Sequence, residues 1–125
     1  MERMTAAEFR KQTKQHKYRA RKTTIDGITF HSKAEAEYYL GLKLLKKAGD
    51  VIDFSLQPRY EVIASYKHPE TGKKVQPTYY VADFLVTYAD GHTEVVDVKG
   101  MRTPEYKLKK KLFESKYGVP IKEIS

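Results

Sequence analysis

The sequence predicts an α/β (α+β mixed-sheet) fold in which a mixed β-sheet is flanked by helices, and three observations carry that expectation. The run Thr93–Lys99, a helical stretch and the run Val119–Ile124 follow one another in the form of a βαβ crossover, which sets two parallel strands in one sheet. Several extended runs before it are joined by short turns, which makes antiparallel neighbours. Val81, Phe84, Leu85, Val86, Val95, Val96 and Val98 place apolar groups on both faces of their strands, and strands of that kind are covered on both sides.

Taken in order, Met4–Phe9 opens as a helix, with Thr5 and Glu8 spaced for a capping box and Met4 and Phe9 for a staple. Residues 10–22 are basic and nearly free of large apolar groups, so residues 1–22 read as an N-terminal helix or arm and residues 23–125 as the domain. The segment from Lys22 to Phe30 alternates around Asp26-Gly27, a two-residue hairpin pattern. Ser32 and Glu35 form a second capping box, and the helix they open runs to about Ala48, with Gly49 as its stop. Strands follow near Val51–Ser55, Arg59–Tyr66 and Lys74–Tyr88, with a turn at His68–Gly72. Thr103-Pro104 caps and starts a last helix that runs to about Tyr117 before Gly118.

The chain of 125 residues is long enough for one domain with its own core. No apolar run is long enough to span a membrane, and no apolar export segment opens the chain. With no cysteine, disulfides and thiolate zinc sites are excluded, and a reducing cytoplasm fits. No two histidines have the spacing of a zinc motif, and no Gly-rich phosphate loop is present. A net charge of +8 and a pI near 9.5 suit a polyanionic partner, most often nucleic acid.

Two carboxylates break the apolar strand runs. Asp97 and Lys99 are two apart and share one strand face, about 7 Å apart. Where Asp83 falls depends on the turn between the strands. A two-residue Asp90-Gly91 turn points Asp83 away from Asp97. A three-residue loop, Ala89-Asp90-Gly91, sets Asp83 directly opposite Asp97, and Gly91 suits the left-handed last position of that loop. Facing carboxylates repel unless a cation lies between them. Two carboxylates suit Mg²⁺, which keeps waters and takes substrate phosphate oxygens, and Lys99 suits a water or a phosphate. The structural alternative is an Asp–Lys ion pair at the sheet edge with Asp83 capping a bend.

An acid on an early helix, Asp83-Phe84 in one strand and Asp97-Val98-Lys99 in the next resemble the PD-(D/E)XK nuclease superfamily, with Ala82 where the superfamily name has Pro. More narrowly, Asp26-Gly27-Ile28-Thr29-Phe30, Ser32-Lys33-Ala34-Glu35-Ala36, Leu56-Gln57-Pro58, Ala82-Asp83-Phe84 and Asp97-Val98-Lys99-Gly100 resemble the DUF1064 family of small phage and prophage proteins. The resemblance covers roughly Tyr18 to Tyr117; the family pattern has Asp where this chain has His31. It implies a restriction-endonuclease-like core and Mg²⁺- or Mn²⁺-dependent endonucleolytic cleavage of DNA in a bacterial host cytoplasm. In that reading Asp83 and Asp97 are metal ligands and Lys99 is the catalytic lysine. Glu35 matches the helical acid and third ligand, with Glu37 as the alternative. Gln57 either sits near the metal, as in related nucleases, or is a buried Gln bonded to backbone. One metal site per chain needs a second copy to cut both strands, so a homodimer is a further expectation. Lys17, Arg19, Arg21 and Lys22 in the arm, and Lys107 and Lys111 one turn apart on the last helix, are either solvated or hold DNA phosphates. A non-catalytic nucleic-acid-binding protein with the same fold is the rival.

Overall fold

The computed structural model describes residues 22–98 and 102–125. The expected helix at Met4–Phe9, almost all of the basic arm, and Lys99 and Gly100 lie outside the described residues. The chain divides into two compact units, one ending at Leu40 and one beginning at Gly41.

In the first unit, β1 (Thr23–Ile25) and β2 (Ile28–Phe30) form an antiparallel hairpin whose turn residues Asp26 and Gly27 both have positive φ, 54° and 76°. That is the backbone of a two-residue primed turn, matched to strand twist. Helix α1 (Lys33–Ala48) begins in this unit. Ser32 Oγ accepts the Glu35 amide at 3.0 Å, and Glu35 Oε1 accepts the His31 amide at 3.0 Å. The capping box is thus present, reaching one residue further back than the usual form. Phe30 and Tyr39 pack ring on ring, and the Tyr39 hydroxyl donates to Asp26 Oδ2.

In the second unit α1 ends in a Schellman turn: Asp50 N donates to Leu45 O and Gly49 N to Lys46 O. A four-stranded sheet follows, ordered β10-β9-β8-β3, from β3 (Val51–Leu56), β8 (Phe84–Tyr88), β9 (Thr93–Val98) and β10 (Ile121–Ile124). Strand β10 runs parallel to β9 and the other neighbours are antiparallel, so the sheet is mixed and the βαβ crossover is present. The crossover helix α2 (Pro104–Tyr117) has Thr103 Oγ1 accepting the Tyr106 amide and Gly118 in the left-handed cap.

The remaining strands pair as ribbons, β4 (Arg59–Ile63) with β7 (Thr78–Val81) and β5 (Tyr66–Lys67) with β6 (Lys74–Val75). The expected continuous strands Arg59–Tyr66 and Lys74–Tyr88 are therefore broken. One break is at Ala64-Ser65 and opposite it Gln76-Pro77, where Pro removes an amide from the ladder. The other is at Ala82-Asp83, and it shapes the site.

Helix α2 packs on β4 and β7. Phe113 is 1% exposed and lies with its ring 4.9 Å from Tyr60, 5.5 Å from Tyr80 and 5.1 Å from Tyr117. Val62, Tyr80, Ala82, Val95, Tyr106 and Ile121 complete this layer. Phe84, Val86 and Val96 alternate onto the opposite face and are also buried, so both faces of the central strands are covered. Among the described residues no helix is long and apolar enough to cross a membrane.

Candidate functional site

The β8–β9 connection decides where the carboxylates fall. Tyr88 N donates to His92 O, Gly91 N to Tyr88 O, and Gly91 has φ 94°. This is the three-residue loop Ala89-Asp90-Gly91, and it sets Phe84 opposite Val96 and Leu85 opposite Val95.

Asp97 shares a strand face with Val95 and so turns toward the α2 layer. It is 0% exposed, and its Oδ2 accepts a short hydrogen bond from the Tyr80 hydroxyl. A buried carboxylate needs such a donor, since desolvation opposes its charge. Burial, this bond and the charges of Asp97 and Asp83 push the Tyr80 hydroxyl far above the ordinary tyrosine range, so it stays a donor. Both carboxylates thus lie within electrostatic reach of one phenol.

Asp83 does not continue the regular alternation. Its amide donates to Val96 O, although Val96 is already the partner of Phe84. Two residues facing one is a bulge, which re-aims the side chain. The Asp83 carboxylate then accepts the Val98 amide at 2.7 Å. The expected facing of Asp83 and Asp97 across regular strands is thus replaced by a bulge that carries Asp83 to the residue after Asp97. The bend-capping geometry of the structural alternative is present as well.

Gln57 completes the corner. Its amide donates to Asp83 O at 2.9 Å, and Ala82 N donates to Pro58 O at 3.1 Å. The β3-to-β4 and β7-to-β8 bends are therefore hydrogen-bonded to each other. Gln57 has φ 50°, a left-handed conformation that costs a non-glycine residue about 1–2 kcal/mol. Gln57 is exposed, so the buried alternative does not hold, and only its backbone amide is engaged by Asp83.

The sequence pattern gave no sign of a second polar group beside Asp97. Glu123 on β10 is registered with Asp97, accepts the Tyr106 hydroxyl at 2.6 Å, and pairs with Arg102 at 3.1 Å and Lys110 at 3.4 Å. The Tyr106 bond first, then Arg102 and Lys110, hold the Glu123 carboxyl below its usual range against a burial effect that raises it. Stability from this cluster is present at neutral pH and is lost as pH falls through that lowered value. Glu123 reaches Asp97 only through the parallel register of the last strand, and nothing in the sequence set Tyr80 or Tyr106 apart from the other tyrosines.

Glu35 is 6% exposed and engaged with the His31 amide within the first unit. Glu37 is exposed and pairs with Lys33. Lys22, Lys107 and Lys111 are exposed. Lys17, Arg19, Arg21 and Lys99 lie outside the described residues. Among the described residues no three His, Cys, Asp or Glu side chains are grouped to hold a metal ion. Asp83 and Asp97 each offer carboxylate oxygen, the hard donor type that suits Mg²⁺.

The chain matches, over residues 15–122, the model of a family described as protein of unknown function, DUF1064, and belongs to that family. No curated protein and no solved structure matches it.

Proposed function

We propose that this protein is a Mg²⁺- or Mn²⁺-dependent DNA endonuclease with a PD-(D/E)XK, restriction-endonuclease-like core. The observation that carries the proposal is the corner at Asp83, Asp97 and Gln57, with one hard carboxylate in the bend before β8 and one on the neighbouring β9, in a chain with a net charge of +8. Asp83 and Asp97 would hold the cation, with Lys99 orienting the water or the phosphate. A bound Mg²⁺ supplies Lewis acidity and lowers the pKa of a water. The Tyr80 hydroxyl and the Val98 amide fix the two carboxylates, as outer partners do in metal sites generally. A homodimer acting in the cytoplasm of a bacterial host accords with one centre per chain. The test is incubation with labelled duplex, flap, fork and four-way-junction DNA, with and without Mg²⁺. Metal-dependent nicking or cutting of at least one substrate is expected; intact DNA throughout the panel removes the proposal.

The full burial of Asp97 and its bond to Tyr80 favour a second reading, a non-catalytic DNA-binding protein in which the corner only holds the fold. That reading expects binding to every substrate and cleavage of none.

Two further outcomes follow. Gln57→Gly relieves the positive φ and raises stability by up to about 1 kcal/mol in urea unfolding. It keeps the backbone amide that Asp83 O accepts, so the corner itself is retained. A drop in stability would mean that the Gln57 side chain holds the corner instead. Removing Met1–Lys17 lowers DNA affinity and reduces the slope of log affinity against log salt by about one for each phosphate that the segment neutralises, while the rate at saturating DNA is kept. Equal affinities and slopes for both chains would leave those residues no role in binding.

A further inference from the structure

Beyond a register shift between Glu61 and Ile63, the β4–β7 and β5–β6 ladders keep one register. Ile63 faces Thr78, Tyr66 faces Val75 and Lys67 faces Lys74, so each strand advances by the same three residues across the break. They are one antiparallel ribbon that leaves the Gln57–Asp83 corner and ends in the turn at residues 68–73.

The tip holds its own shape. His68 N donates to Lys73 O, Gly72 N to His68 O, and the His68 Nδ1 atom accepts the amides of Glu70 and Thr71. The lysine side chains have no part in this. Lys67 and Lys74 nevertheless stand directly opposite each other, exposed and on one face, with exposed Lys73 beside them. Like charges directly opposite destabilise a ladder. Among the described residues no ion pair offsets them. At the base of the ribbon the exposed Arg59 guanidinium is stacked 4.1 Å over the Tyr79 ring, which holds it extended. A fold gains nothing from opposed lysines at a self-closed tip; a polyanion bridging them does.

We infer that this ribbon is a duplex-DNA arm in which Lys67 and Lys74 hold phosphates of a double helix to one side of the corner. The inference rests on the nucleic-acid partner proposed above, but not on hydrolysis. A two-stranded ribbon has the width of a major groove, and its lysines supply both strands of the ribbon with a phosphate contact. Single-stranded DNA is instead held on rows of stacking aromatics, whereas the tip carries one exposed ring, Tyr66 at 51%. The ten steps from Gln57 to Lys67 span at most about 33 Å, which puts the lysine pair no more than about ten base pairs from the corner.

The test compares the full chain with the Lys67→Ala/Lys74→Ala variant in chelator, without divalent metal. Fluorescence anisotropy is read on a duplex of about 30 base pairs, long enough to span both the corner and the arm, and on a single strand of the same sequence, across a salt series. The inference expects duplex affinity to fall about tenfold, the salt slope to drop by about two, and single-strand affinity to hold. Lys67→Arg/Lys74→Arg should restore the duplex affinity, and urea unfolding should be undiminished in all variants. Unchanged duplex affinity and slope would overturn the inference, and so would an equal loss on both DNAs. Loss of duplex binding in a protein that cuts nothing would keep the arm and remove the nuclease, and normal duplex binding by the variant of an active nuclease would do the reverse.

Discussion

Asp97→Asn is expected to lower cleavage by more than about a hundredfold and to leave DNA affinity in Ca²⁺ nearly unchanged. Losing a group that merely orients a metal ligand costs about 10–100-fold, so losing a ligand, the role proposed for Asp97, costs more. The amide is nearly the same shape and its oxygen still accepts the Tyr80 hydroxyl, so the fold is retained. Removing a fully buried charge next to Asp83 also lifts a desolvation cost and a repulsion, so the unfolding midpoint should hold or rise. Single-turnover cleavage in Mg²⁺ and urea unfolding of the same preparation measure both arms. A purely structural Asp97 gives the opposite pattern, with stability lowered and cleavage following only the folded fraction.

Phe113→Ala is expected to have the largest effect on stability, about 3–5 kcal/mol. The ring is 1% exposed and touches Tyr60, Tyr80 and Tyr117. A loss of that size is a large part of the total stability of an ordinary domain, about 5–15 kcal/mol. The urea midpoint should fall with an unchanged slope. Because Phe113 supports the ring whose hydroxyl holds Asp97, cleavage should fall by more than the unfolded fraction accounts for. A stability loss under about 1 kcal/mol would show that the layer closes over the gap.

Elements whose cause is local were legible in the sequence. Asp26-Gly27, the cap at Ser32, the stop at Gly49, the start at Thr103-Pro104 and the loop ending in Gly91 each depend on a few adjacent residues. The loop mattered most, because its length sets the β8–β9 register and with it Phe84 opposite Val96. The Ala82-Asp83 bulge and the left-handed Gln57 were not legible. Each is held by a partner from the other bend, and only the folded chain brings the two bends together. For the same reason nothing local marks Tyr80, 17 residues from Asp97, as the donor to its carboxylate. Glu123 was hidden because its neighbour across the parallel register comes from the far side of the crossover helix.

The central claim, that Asp83 and Asp97 share one divalent cation, is tested most directly by anomalous diffraction from crystals of the full chain grown with duplex DNA and Mn²⁺. The account predicts a manganese peak with a carboxylate oxygen from each of Asp83 and Asp97 at about 2.1 Å. A map with no peak at the corner, the Asp97 carboxylate still closed on Tyr80 and that of Asp83 on the Val98 amide, would contradict it.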